Sequence, residues 1–219
     1  MAIANSDKPF LIYSDIETDS LSATKILQIS AIAEDGQTFN VHINPGSDLP
    51  LQCTNITGLY YYRNNLYKNG RLVPSVSLHR GLRDFRDWIL SFQKPVHLVY
   101  HNGFSFDAKI IIKIYLKLKI KFPENVLMIH DTLPAFRKKL KEIRDHRLST
   151  LAEHTKVKLT NAHDALADSV ALKEICESYS KTQNIDLHEF LNLYAKSVEH
   201  LTKIEKDKLE KDARPNGAK

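Results

Sequence analysis

The sequence predicts one mixed α/β domain, a sheet of about five strands with helices on its faces. Three observations lead there: an apolar run, FLIYSDI, that ends in acids; two alternating segments joined by Asp35-Gly36; and, beyond Pro95, strand patterns that take turns with helical ones. With 219 residues, 42% hydrophobic and 26% charged, the chain is long enough for one substantial core.

Phe10 to Ile16 is rich in aromatic and branched residues and suits a buried strand with chemistry at its tip. Ile26 to Glu34 and Thr38 to Ile43 alternate apolar and polar around the Asp35-Gly36 turn, which completes a three-strand meander. Asn44-Pro45-Gly46 breaks the sheet, and the tyrosine-rich stretch from Leu51 to Gly70 has no clear period, so loop and short helix are expected there. Leu78, Leu82, Phe85, Trp88 and Ile89 fall at helical spacing, and VHLVY after Pro95 returns to strand. Phe104 to Leu118 reads as a helix with lysines on one face, followed by a short strand over Val126 to Ile129. Asp131 stands at a helix N-cap before Leu133 to Ile143. Further helices are expected over Leu148 to His154, Asp164 to Tyr179 and Leu187 to Leu209, and DARPNGAK at the end has no apolar anchor and reads as disordered.

A net charge of +5 and a pI near 9.0 fit a polyanionic partner but do not single one out. Cys53 and Cys176 form no CxxC pattern, which argues against a disulfide framework or a zinc ribbon and favours a reducing compartment. MAIANSDKPF lacks the apolar core of a signal peptide, and no window reaches the ~18 apolar residues of a membrane span. A soluble intracellular protein, nuclear or cytoplasmic and without membrane association, is therefore expected.

The chemistry lies in the acids. Asp15 and Glu17, one residue apart on an extended strand, point to the same face while Ile16 points to the other. Asp107, in HNGFSFDAKII, follows a strand and opens a helix, and Asn102-Gly103 reads as the joining turn, with Gly103 able to take a positive φ. His163 and Asp168, in AHDALADS, sit at the start of the long helix, where Ala162, Ala165 and Ala167 permit close approach to the sheet. Taken singly, each of these is most often an ordinary strand-end or first-turn acid, or a solvated histidine.

Together, DIE, HNGFSFD and HDALAD match in order the three blocks of the DEDDh 3′→5′ exonucleases, D-x-E, N-x-x-x-(F/Y)-D and H-x-A-x-x-D, over about Phe10 to Tyr179. TNITGL at Thr54 to Leu59 is similar to the segment between the first two blocks in three-prime repair exonucleases and proofreading subunits; a fainter likeness runs to the exonuclease-like domain of the longest promyelocytic leukaemia protein isoform. The resemblance implies an RNase H-like mixed five-stranded sheet flanked by helices. It implies an exonuclease domain over 1–183, with a C-terminal helical extension over 184–211 and a disordered tail over 212–219. Asp15, Glu17, Asp107 and Asp168 become ligands of two Mg²⁺ ions, with Mn²⁺ able to substitute, and His163 becomes the general base; oxygen-only donors suit hard cations.

The implied partner is nucleic acid, single-stranded DNA with a free 3′ end, contacted by Thr18, Leu21, Thr57, Leu59, Asn102 and Phe106. An RNA-trimming enzyme and a binding module with little turnover are the alternatives. Tyr60, Tyr61, Tyr62 and Tyr67 offer rings for base stacking or for packing, and the basic residues of Phe136 to Arg147 offer either phosphate contacts or a solvated face. One departure stands out: relatives often continue D-x-E-T-T-G-L, whereas here Asp19 and Ser20 replace the second threonine and the glycine.

Overall fold

The computed structural model describes residues 8–22, 25–160 and 163–213. The meander forms as expected: β1 (Phe10–Thr18), β2 (Ile26–Ala33) and β3 (Thr38–Ile43) pair antiparallel in sequence order. Next come α1 (Leu51–Thr57), β4 (Leu59–Tyr62), β5 (Asn65–Lys68), β6 (Arg71–Val73), β7 (Ser75–Val76) and α2 (Leu78–Leu90). They are followed by β8 (Val96–Tyr100), α3 (Asp107–Lys117), β9 (Val126–Asp131), α4 (Thr132–Lys139) and α5 (Leu148–Thr155). The chain ends in α6 (Ala165–Gln183), α7 (Leu187–Asn192), β10 (Ala195–Ser197) and α8 (Val198–Asp212).

The main sheet has seven strands in the order β10-β9-β8-β1-β2-β3-β7, with β1 at its centre, parallel to β8 and antiparallel to β2. The two strands beyond the expected five are the edges β7 and β10, only two and three residues long, too short to impose a period of two on the sequence. Leu51 to Gly70 contains the expected short helix but also β4 and β5, which with β6 make a separate three-stranded sheet. Leu187 to Leu209 is not one helix. Ala195 to Ser197 pair with Met128 to His130 on the edge of β9, so tertiary hydrogen bonding overrides the helical pattern, and Ser197 then caps α8 by accepting from His200 N. The segment 184–211 thus contributes a strand to the main sheet. Of the tail, residues 214–219 lie outside the described residues, as does Ala162.

Period-two alternation along β1 sorts its side chains between two cores. Phe10, Ile12 and Ile16 pack with Ile29, Leu98, Ala108 and Ile111, beneath α2, α3 and α8. Leu11 and Tyr13 pack with Ala171, Leu172, Ile175 and Cys176 of α6. Burying each large apolar side chain contributes about 1.5–3 kcal/mol, and both cores grip the strand that carries Asp15 and Glu17. Ala165 and Ser169 are fully buried, and Ser169 Oγ lies 3.4 Å from the Ser30 carbonyl, so small residues let α6 lie close on β2.

The joint after β8 is built differently from its sequence expectation. Asn102 takes the left-handed backbone, φ 67°, and Gly103 does not. Glycine is required at 103 for space: a Cβ there would collide with Tyr100 Cβ. Asp131 caps α4 by accepting from Leu133 N at 3.0 Å. It also accepts from Asn102 N at 2.9 Å and Phe104 N at 3.0 Å, so one carboxylate fixes both the helix start and the loop that delivers Asp107.

Candidate active site

Beside β1, three elements bring their acids together. One carboxylate oxygen from each of Asp15, Glu17 and Asp168 falls within 4.8 Å of the others, a spacing at which they can share a metal ion. Asp15 and Glu17 share a face because the residue between them, Ile16, is turned into the core. Asp168 comes from the first turn of α6 and accepts from His163 N at 3.2 Å. Asp107, at the first position of α3, is buried behind the trio and accepts from Ile16 N at 3.2 Å.

Burial raises the Asp15 carboxyl well above the usual range, and the negative charges of Asp107, Glu17 and Asp168 raise it further. Burial and then Asp168 push Glu17 up to about 7, with Lys68 pulling the other way. Burial likewise pushes Asp107 up to about 7 against the backbone N–H groups that stabilise its charge. Asp168 is raised by burial and held back by the His163 N–H. Hard oxygen donors crowded until their charges repel fit a divalent cation, because the cation removes the repulsion.

These shifts fix a stability prediction. A carboxyl whose folded pKa is raised holds its proton more tightly folded than unfolded. Its contribution is fully present below its ordinary pKa, near 4, and is lost as pH rises through about 7 for Glu17 and Asp107. In EDTA, raising the pH from about 5.5 to about 8 should lower Tm by roughly 5–10 °C, and Mn²⁺ should recover most of that loss at the upper pH and little at the lower. A thermal scan at both pH values, with and without metal, checks this; a Tm in EDTA that rises with pH contradicts it.

His163 is exposed at the mouth of the site, in the left-handed region at φ 67°, an uncommon conformation for a residue with a Cβ. It lines two adjoining cavities. The first, about 480 Å³, is bounded by Glu17, Thr18, Asp19, Leu21, Thr57 and Phe106 among others. The second, about 490 Å³, runs along α1 to Lys68 and Asp164. Of the expected contact residues, Thr18, Leu21, Thr57 and Phe106 therefore border the cleft. Leu59 does not: it is fully buried with Leu27, Cys53 and Leu66, because its alternate position on β4 faces the core beneath the small sheet. Asn102 is exposed in the turn after β8 and lines none of these cavities.

None of the four tyrosines lines the cleft, and Tyr60 stacks on Tyr67 with ring centroids 5.2 Å apart. Nor do residues 136–147 reach it. Asp19, the departure from the family pattern, is buried and accepts from Lys25 N at 3.0 Å, which closes the loop after β1.

Sequence reasoning missed the clamp on the start of α6. Asp164 caps that helix through Leu166 N and Ala167 N and meets Lys68 Nζ of β5 at 2.7 Å, both side chains 24% exposed. Burial alone would raise the Asp164 pKa, but Lys68 and the capped amides hold it below the ordinary value. Gln28, opposite Glu17 on β2, accepts from Ala165 N at 3.3 Å. These partners lie about 100 residues or more apart in sequence (96 for Lys68–Asp164, 137 for Gln28–Ala165), and no local signal announces them.

A sequence profile of the RNase_T exonucleases matches residues 12–176, from β1 through most of α6. The chain belongs to this exonuclease family. It is 32% identical over 203 residues to the exonuclease DPD1, chloroplastic/mitochondrial, of Arabidopsis thaliana, covering 88% of this chain and 56% of that relative. It is 28% identical over 202 residues to the PolC-type DNA polymerase III of Listeria monocytogenes, covering 88% of this chain and 13% of the relative. The fold is shared with the nuclease domain of 3'hExo, a DEDDh family member bound to rAMP, at TM-score 0.63 and 15% identity over 82% of this chain and 95% of that one. It is also shared with E. coli ExoI in complex with ssDNA, at TM-score 0.60 and 18% identity over 85% of this chain and 42% of that one. This member of the RNase_T exonuclease family thus shares the RNase H-like fold of a DEDDh nuclease domain, and its Asp15, Glu17 and Asp168 are clustered closely enough to hold a metal ion. Among the described residues, no helix is long and apolar enough to cross a membrane.

Proposed function

We propose that this exonuclease removes nucleotides one at a time from the free 3′ end of single-stranded DNA and releases nucleoside 5′-monophosphates. The observation that carries the reading is the convergence of Asp15, Glu17 and Asp168, with Asp107 behind them and His163 at the mouth of the same cleft. Asp15, Glu17 and Asp168 would hold one Mg²⁺, and Asp107 with Asp15 a second; Mn²⁺ would serve in their place. When bound, such ions neutralise the phosphate and the departing oxygen.

The chain's own groups do the rest. His163 takes a proton from water as the water oxygen bonds to phosphorus. The bond from phosphorus to the 3′ oxygen of the preceding nucleotide breaks, and that oxygen takes a proton from solvent. A neutral imidazole has a ring nitrogen free to take the proton, whereas a carboxylate committed to metal is too weak a base. Asp168 orients the residue through the His163 N–H, and Lys68 and Asp164 fix the helix start on which both sit. Thr18, Leu21, Thr57 and Phe106 border the space for the terminal nucleotide.

DNA is favoured by the relative that is a DNA polymerase and by the ExoI complex with ssDNA; the neighbour bound to rAMP supports RNA as the second reading. The two cysteines, free and buried, fit a reducing compartment, nuclear or cytoplasmic. Linear and circular DNA strands of equal length, and the linear strand with its 3′ end blocked, test the exonuclease reading. Only the open linear strand should be consumed; a circle digested at the linear rate would show an endonuclease. A matched RNA strand decides between the two substrates.

A further inference from the structure

A third cavity, about 560 Å³, lies beside the cleft along α3. It shares Leu21, Ser22 and Phe106 with the cleft, so the two lie side by side. Its floor is apolar, with Leu78, Ile110 and Ile114, and its wall carries Lys109, Lys113 and Lys117. Those lysines recur every four residues, about one helical turn or 6 Å of axis apart, and so form a single stripe. Among the described residues, no aspartate or glutamate lines the groove. Among the described residues none of the three lysines is in an ion pair.

Like charges one turn apart destabilise a helix by about 0.2–0.5 kcal/mol per pair, so an unpaired stripe carries a cost that a polyanion would remove. A groove with an apolar floor and a cationic wall combines the two elements that hold a single strand, contacts for base faces and charges that track phosphates. We propose that this groove carries the backbone of the nucleic-acid strand leading away from the cleft, with Lys109, Lys113 and Lys117 on successive phosphates. The inference rests on the nuclease reading for the end of the strand but not for the groove itself.

The test uses the full chain and a fluorescent 20-nucleotide DNA strand, with anisotropy read in EDTA across a salt series. The variants are the triple Lys109→Gln, Lys113→Gln, Lys117→Gln and the matching triple arginine variant. Three phosphate contacts on a single strand account for about 2 units of slope in log Kd against log salt. The glutamine variant should lose that slope, so that from about 50 to about 200 mM salt its Kd rises roughly 15- to 20-fold less than that of the unsubstituted protein. The arginine variant should keep the slope, which separates charge from any loss of fold.

A glutamine variant with the unsubstituted slope overturns the proposal, and so does tighter binding of polyglutamate than of the strand by the unsubstituted protein. If the protein degrades the strand in Mg²⁺ while the glutamine variant keeps the slope, the groove assignment fails and the nuclease reading stands. If no strand is degraded but the slope depends on the lysines, the groove stands and the nuclease reading fails.

Discussion

Asp15→Asn is expected to abolish hydrolysis in a protein that still folds. The side chain keeps its shape but loses the charge that sits among Glu17, Asp107 and Asp168. A carboxamide is a poor ligand for a hard divalent cation, so a loss of at least about a thousandfold in turnover is expected. Stability should move the other way. Removing one of several mutually repelling carboxylates relieves the apo protein, so Tm in EDTA at neutral pH should equal or exceed that of the unsubstituted protein. The rise in Tm that Mn²⁺ gives the unsubstituted protein should disappear. A folded variant that turns over normally in Mg²⁺ would contradict the assignment of Asp15 to the metals.

His163 separates the base from the metal ligands. His163→Ala should keep metal and substrate binding and lose turnover by about 10²–10⁴-fold, the usual worth of general-base assistance. Residue 163 still donates its backbone N–H to Asp168 whatever the side chain, so the ligand keeps its orientation. The left-handed backbone at φ 67° is a second variable, because alanine tolerates it poorly. Asparagine tolerates it well, so an equal loss in His163→Asn assigns the effect to the imidazole. Calorimetry showing weakened Mn²⁺ binding in both variants would make His163 a ligand, and near-normal turnover would make it a bystander.

What could be read from the chain follows from how local each signal is. The strand carrying Asp15 and Glu17 was legible because burial on both sides forces an unbroken apolar run, and α6 because the residues from Asp164 to Tyr179 repeat at helical spacing. The edge strands β7 and β10 were not, since two or three residues cannot display a period, and β10 exists only through the edge of β9 that it meets. The small sheet was hidden for a related reason. Its tyrosines stack on one another across β4 and β5, a pairing that residues Leu59 to Lys68 do not advertise as strand alternation. Leu59 shows the limit of carrying a motif onto a chain residue by residue: it matches the relatives' segment and yet faces the core. Lys68 and Gln28 reach the start of α6 only through the fold.

The most direct measurement is a time course on a DNA strand labelled at its 3′ end, run in Mg²⁺ and in EDTA with the unsubstituted protein, with products separated by length. The first labelled product in Mg²⁺ should be a single nucleoside 5′-monophosphate, and nothing should form in EDTA. Labelled fragments of several nucleotides appearing first, or the same products at the same rate in EDTA, would contradict the proposed function.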